Sequence, residues 1–499
     1  MQDSCPVFFF ASYAFVFDLL YEIRGGVFMK KKLLDDRKFY KSVITLVIPI
    51  MLQNGITNFV SLLDNIMVGR IGTEQMSGVS IVNQLIFVFN LFIFGGISGA
   101  SIFGAQFYGQ KNFKGLRDTF RFKIATCILI LLCGIGVFTY AGRNLILLYL
   151  HESASGGSLT ATLSYAERYM AIMLIGLVPF IIEQCYASTL RETGQTLVPM
   201  NAGIVAVFVN LVLNYILIFG KFGFPALGVA GAAYATVISR FVEAGIILTW
   251  THMHAERNQF IIGAYRNIAI PPRLAKKIII MGVPLLINEG LWASGVAAQT
   301  QCYSFRGLSV IAGLNISSTI SNVFSIVFIA LGSAISIIVG QLLGAGKLKE
   351  AKETASKIIK FSVLCCILLG IFMAGTSTLF PKIYNTSEDV RYLAGWFIGI
   401  TALLMPLQAF LNATYFTIRS GGKTLITFLF DSVFLWTIAV PAAFILTHYT
   451  DIHILLVFLL CQLLDIIKAT VGFIIMKSGI WIKNIVCEEK EPEKMDVLL

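Results

Sequence analysis

Gln106-Phe107-Tyr108-Gly109 closes an apolar segment that opens at Gly72, and Gln341-Leu342-Leu343-Gly344 closes another that opens at Gly307. The second stretch follows the first at an offset of 235 residues, without a gap in the register. Within them Gly78 recurs as Gly313 and Ser98 as Ser333, and upstream Pro49 recurs as Pro284. The match spans two long apolar segments and a basic loop in each copy. A membrane protein made of two equivalent halves has a natural cavity where they meet. Rocking one half against the other exposes that cavity to each side in turn. The repeat therefore points to a solute transporter.

Composition agrees. Of 499 residues, 57% are hydrophobic and only 13% charged. So few charges cannot cover the surface of a soluble protein of this length. Runs of about 20 apolar residues recur instead, each long enough to cross a bilayer. The net charge of +11 sits in short loops, as membrane-orientation signals do, and this argues against a nucleic-acid partner. The nine cysteines are scattered without a Cys-x-x-Cys pair and mostly within apolar segments. They read as packing residues rather than metal or redox groups. His252 and His254 are too few ligands to fill a metal's coordination shell.

Hydropathy predicts spans near 42–63, 78–108, 120–148, 165–190, 197–220 and 228–252, then 275–304, 312–344, 356–380, 391–418, 425–447 and 452–476. Lysine and arginine collect in alternate loops: Lys30 to Lys41; Lys111, Lys114, Arg117, Arg121 and Lys123; Arg257 to Lys277; and Lys347 to Lys360. The positive-inside rule then makes both termini cytoplasmic in a multi-pass protein of the cell membrane. Six spans per half means that the copies run the same way through the bilayer. Their symmetry axis should stand along the membrane normal. The expected fold class is an all-α integral membrane protein, with twelve transmembrane helices in two six-helix bundles related by that pseudo-twofold axis. The expected parts are a cytoplasmic tail over 1–41, bundles over 42–253 and 275–477, a cytoplasmic linker over 254–274 and a solvated tail over 478–499. Residues 1–28 lack the basic start of a signal peptide. Met29-Lys30-Lys31-Lys32 reads as a better beginning, so the extension is read as a start-site artefact or a surface-lying segment.

Polar residues inside spans face a partner, a cavity or water. In the first span Gln53, Thr57 and Asp64 fall on one stripe at 100° per residue, and Asn54, Asn58, Ser61 and Asn65 on the adjoining one. Asp64 reads either as a helix-end residue bonded to Asn65 or as a cavity carboxylate that takes a proton, a sodium ion or a cationic solute by turns. Across the repeat, Asp64 aligns with Gln299, and Asn54 with Glu289. Each half thus carries one acid, at a different depth, where its sibling carries an amide. Glu289, beside Asn288, is the second candidate. Asn210 and Asn214, four apart, share one face of the fifth span; such amides coordinate a cation or tie helices together. Arg240 with Glu243, and Asp465 with Lys468, are spaced for neutralisation within their own helices. Glu183 with Gln184, Asp431, and Gln408 with Asn412 are weaker candidates.

At this first span the sequence resembles a known family. Pro49, Gln53 and the run Leu63-Asp64-Asn65-Ile66-Met67-Val68-Gly69-Arg70-Ile71-Gly72 are similar to multidrug and toxic compound extrusion (MATE) transporters. So are Met76-Ser77-Gly78-Val79, the Gln106-x-x-Gly109 turn and Gly228-Val229-Ala230-Gly231-Ala232-Ala233-x-Ala235-Thr236. The likeness covers about residues 38–477. It implies two six-helix bundles forming a V, and cation-coupled export of amphipathic, often cationic compounds. It also implies that Asp64 stands at the family's helix 1 carboxylate and Asn210 at a cavity asparagine of the fifth helix. Asn214 departs from the pattern, standing where several proton-coupled prokaryotic members carry an aspartate. The acids of helices 7 and 10 in the sodium-coupled branch lack a clear match, since Glu289 sits nearer the proline.

The expected function is a secondary antiporter for small organic compounds, acting as a monomer, without a cofactor and driven by protons or sodium. Its expected binding residues are Asp64, Gln53, Asn54, Asn58, Asn210, Asn214, Glu289 and Gln299, with any sodium held at Asp64. A lipid-linked saccharide flippase of the same superfamily is the alternative. An enzyme would need a paired His/Asp cluster at one interface, and a channel a re-entrant filter; neither pattern is present. No nucleotide-binding motif supports ATP drive.

Overall fold

The computed structural model describes residues 37–150, 159–266 and 269–487. The extension over 1–28 and the end of the chain beyond 487 lie outside them. Twelve helices are long and apolar enough to cross a membrane. They are α1 (Arg37–Gly69), α2 (Thr73–Gly109), α3 (Phe113–Leu147), α4 (Leu159–Glu192), α5 (Leu197–Phe219) and α6 (Val229–Met253), followed by α7 (Pro272–Ser304), α8 (Leu308–Gly344), α9 (Leu348–Thr376), α10 (Glu388–Ser420), α11 (Thr424–His448) and α12 (Ile454–Ser478). α11 passes through two π-helical stretches, Leu429–Val433 and Leu435–Ala439, before resuming as an α-helix. Most helices outrun the predicted spans. At 1.5 Å per residue α1 is roughly 50 Å long, beyond a hydrocarbon core of about 30 Å.

Packing repeats with the sequence. Within the first half α2 packs on α3 and α4, α4 on α6, and α1 on α5; within the second, α8 packs on α9 and α10, α10 on α12, and α7 on α11. Between the halves α2 meets α7, α8 meets α1, and α2 meets α8. Exchanging the halves leaves this pattern unchanged, as a pseudo-twofold axis requires. The entry helices bind the lobes together. Val43, Val47 and Ile50 at the start of α1 are buried in the second lobe's core, whereas Ile278 and Leu285 of α7 are buried in the first's.

Small residues let the lobes touch. A Cβ on Gly99 of α2 would meet the backbone of Gly282 in α7. At the ends of α2 and α8 a Cβ on Gly109 would collide with the Gln341 carbonyl, and one on Gly344 with the Gln106 carbonyl. Elbows follow α4 and α10, where Gly194 (φ 83°) and Gly422 (φ 76°) take the left-handed conformation that ends helices.

Three sequence expectations are corrected. Lys123, counted with a basic loop although the predicted span 120–148 includes it, is fully buried within α3. Its ammonium donates to Glu192 Oε1 (2.5 Å), Thr189 Oγ1 (3.1 Å) and Ser188 Oγ (3.2 Å), which uses all three of its donors. Asp465 and Lys468 interact electrostatically as expected but take their hydrogen bonds from other helices: Lys468 Nζ donates to Asp431 Oδ1 (2.7 Å), and Gln408 Nε2 to Asp465 Oδ2 (2.6 Å). The segment after α12 is packed rather than solvated, with Trp481 fully buried and Ile485 and Val486 nearly so.

Candidate functional site

The first lobe encloses a polar centre built by α1, α5 and α6. Four-residue spacing puts Asn210 and Asn214 one above the other on α5. Asn214 Nδ2 donates to Asp64 Oδ1 of α1 and to Asn210 Oδ1 (2.9 Å). Asn210 Nδ2 donates to Thr236 Oγ1 of α6 (3.3 Å), whose hydroxyl donates to the Ala232 carbonyl (3.0 Å). Asn210 and Asn214 are buried, while Asp64 is half-buried. Asn214 Oδ1 is buried and accepts no hydrogen bond. A carboxylate thus ends a chain of amide and hydroxyl groups in which Asn214 Oδ1 is left without a donor, and carboxylate and amide oxygens are ligands that suit a hard cation. The carboxylate serves a proton equally well.

One turn along α6 from Thr236, Arg240 reaches α4. Its Nη1 donates to the Gly176 carbonyl (3.3 Å), and its guanidinium lies 5.1 Å from the Phe180 ring centroid. It interacts electrostatically with Asp64, Glu183 and Glu243. One half-buried cation therefore faces three acids from three helices, wider than neutralisation by Glu243 alone. Gln184 Nε2 donates to Glu183 Oε2 (2.8 Å), while Glu183 Oε1 is buried without a hydrogen bond.

The remaining expected residues scatter. Gln53 lies roughly 16 Å along α1 from Asp64 and accepts from Arg191 Nη2 (3.1 Å) near the end of α4. Asn54 is half-buried on α1, and the side chain of Asn58 lies outside those described. In the second lobe Asn288, not its neighbour Glu289, is the hub. Asn288 Nδ2 donates to Asp431 Oδ2 (3.2 Å) and Tyr415 Oη (3.4 Å), and its Oδ1 accepts from Ser432 Oγ (2.7 Å). Asp431 and Ser432 stand in the first π-helical stretch of α11, where the changed register turns both toward α7. Half-buried Glu289 interacts electrostatically with Arg419 and Asp431. Gln299 lies one turn from Tyr303 on α7 and acts on its hydroxyl. Each lobe thus has its own polar centre, and the acids are placed differently in the two.

Sequence reasoning missed Thr236 as a member of the first centre, although it stood in a quoted motif. It also missed the role of Gln106 and Gln341. Gln106 Nε2 donates to the Ser420 carbonyl at the end of α10 (2.9 Å), and Gln341 Nε2 to the Glu192 carbonyl at the end of α4 (2.7 Å). Each glutamine crosses to the other lobe at equivalent positions. Their recurrence in the repeat was the available signal.

Twelve membrane-spanning helices in two symmetric lobes, each with a buried polar centre, define a multi-pass membrane protein of transporter architecture. A model of the MatE family matches residues 49–216 and 292–445, and the chain belongs to that family, whose members are transporters rather than enzymes. It is 26% identical to the probable multidrug resistance protein NorM of Thermotoga maritima, over 91% of this chain and 96% of that one. It is 27% identical to the probable multidrug resistance protein YoeA of Bacillus subtilis, over 83% of this chain and 89% of that one. Among solved structures, the Vibrio cholerae MATE transporter VcmN superposes with a TM-score of 0.79 at 15% identity, covering 89% of this chain and 97% of that one. An outward-facing multidrug resistance MATE transporter gives 0.77 at 19% identity, over 88% and 95%. These similarities show the shared fold.

Proposed function

We propose that this protein is a secondary antiporter of the cell membrane that exports amphipathic, often cationic compounds in exchange for protons or sodium ions. Asp64 is its exchange residue. The observation that carries the reading is the Asp64–Asn214–Asn210–Thr236 chain, in which a carboxylate on α1 meets two buried amides backed by a half-buried hydroxyl. A cation at Asp64 neutralises the carboxylate, and a cationic solute does the same, so the two compete for one charge. The multidrug-resistance names of the relatives favour this substrate class over a lipid-linked saccharide. Asn210 and Asn214 position the carboxylate, Gln53 and Asn54 line the same wet flank of α1, and Asn58 is assigned to the site from its sequence spacing alone. Glu289 and Gln299 serve the second lobe. The basic loops support cytoplasmic termini, and the bundles over 42–253 and 275–477 rock about the linker as a monomer.

Contact between the lobes at the basic-loop ends of α2 and α8 supports a resting state closed to the cytoplasm. The test is transport in proteoliposomes: a fluorescent organic cation should move only when a proton or sodium gradient is imposed. Imposing each gradient alone identifies the coupling ion, and movement independent of both would overturn antiport.

A further inference from the structure

The nine residues that follow α12, Gly479 to Cys487, cross from one lobe to the other. Trp481 is fully buried in the core of the second lobe, and Ile485 and Val486 are buried in the core of the first. Three residues, Ile482 to Asn484, therefore bridge two bodies that a rocking transporter must separate. The bridge runs over the seam where α2 and α8 end. Gln106 of α2 holds it from one side: its Oε1 accepts from the Ile485 backbone N–H (2.9 Å), and its Nε2 donates to the Lys483 carbonyl (3.2 Å). The second lobe holds it from the other, where Asn484 Nδ2 donates to the Gly344 carbonyl (3.1 Å). The elbow after α10 is shaped to it. A Cβ on Gly421 would collide with the Trp481 carbonyl, and one on Gly422 would stand 3.0 Å from Ile485 Cγ2.

We propose that Gly479–Cys487 is a strap that closes the cytoplasmic gate and must withdraw from the first lobe in every transport cycle. The two anchors differ in kind. Trp481 stays with the second lobe, carried by the end of α12. Ile485 and Val486 are buried in the first lobe's core, with Ile485 also against Gly422 of the elbow, and separating the ends of α2 and α8 pulls them out. Their withdrawal also breaks two of the three hydrogen bonds of Gln106, which is fully buried while the strap is seated and whose third bond goes to the Ser420 carbonyl. Gln341, the repeat mate of Gln106, donates to the Glu192 carbonyl. The gate is therefore closed by a pair of symmetric glutamine contacts with an asymmetric strap laid across one of them. The strap biases the lobes toward closure on this side, so its loss favours the opposite opening.

This proposal rests on the transport reading and on its orientation, and its test separates the two. Spin labels at Lys114→Cys and Lys349→Cys, exposed and repeat-equivalent positions on the two lobes, report the width of the gate. Exposed Cys133 and Cys487 are first changed to serine. The purified protein is compared with two variants, one lacking residues 480–499 and one of full length carrying Ile485→Asp. Both should gain a longer label-to-label distance whose population rises about tenfold, the response to a bias lost from a two-state equilibrium. Unchanged distance distributions in both variants would overturn the strap. Export of a fluorescent cation by the intact protein, measured in the same preparations, tests the transport reading separately. Absence of export under either gradient overturns that reading, and the distances still decide the strap.

Discussion

Asn214, sealed inside the first lobe, donates one amide N–H to the carboxylate of Asp64 and the other to Asn210. The first of these bonds reaches a charged group and the second a neutral one. Bonds to ionised acceptors contribute about 1.5–3 kcal/mol and neutral pairs about 0.5–1.5 kcal/mol. The site should therefore respond unequally to substitutions along the chain of bonds, and that ranking is measurable.

Asp64→Asn keeps the size and the bond to Asn214 but removes the charge. Ion-driven export of a fluorescent cation in proteoliposomes should fall to the background of empty vesicles, with thermal unfolding close to that of the parent. Transport at the parental rate by this variant would remove Asp64 from the exchange site.

Asn214→Ala takes away the donor that orients Asp64. Export should fall roughly 10- to 100-fold, the equivalent of the charged bond it loses. Asn210→Ala, one step further from the carboxylate, should cost about tenfold or less. Equal losses in the two variants would show that the chain of bonds does not end at Asp64.

Much of this was legible in the sequence because it depends on spacing along single helices. Twelve apolar runs, the offset repeat, and the shared face of Asn210 and Asn214 all follow from helical geometry. Partners between helices were not legible. Three residues apart, Asp465 and Lys468 do interact electrostatically, yet Gln408 and Asp431 approach from α10 and α11 and take their hydrogen bonds. The π-helical stretch that turns Asp431 toward Asn288 leaves no mark in hydropathy. Lys123 resembled its basic-loop neighbours because one turn of helix separates a solvated lysine from a buried one, and only Glu192, far along the chain, decides which it is.

The Lys123–Glu192 pair is buried on both sides, with side chains 0% and 4% exposed. Removing one partner of such a pair leaves an uncompensated charge and costs about 3–5 kcal/mol. Lys123→Ala should therefore lower the unfolding midpoint in detergent sharply. Arg143–Glu167 has similar chemistry but is 66% and 39% exposed, so Arg143→Ala should change stability by no more than about 1 kcal/mol. Similar destabilisation by both variants would contradict the burial difference.

Gly109 and Gly344 close the seam between the lobes, each lying against the carbonyl of the other helix's glutamine. A methyl group at either position cannot be accommodated by rotating a side chain, because the obstacle is backbone. Overpacking of this kind costs about 1–3 kcal/mol, and it falls only on the state in which the ends of α2 and α8 meet. A cost confined to one state of a two-state equilibrium shifts that equilibrium by roughly 5- to 150-fold. Gly109→Ala and Gly344→Ala should thus each leave the lobes folded but open the basic-loop end. A cysteine placed at Ser420, which is 1% exposed and bonded to Gln106 across the seam, should then react with a thiol reagent at least about fivefold faster than in the parent. The two glycines act on one contact, so the double variant should exceed the singles by less than the product of their effects. Unchanged reactivity at that cysteine would mean that the lobes do not separate at this seam.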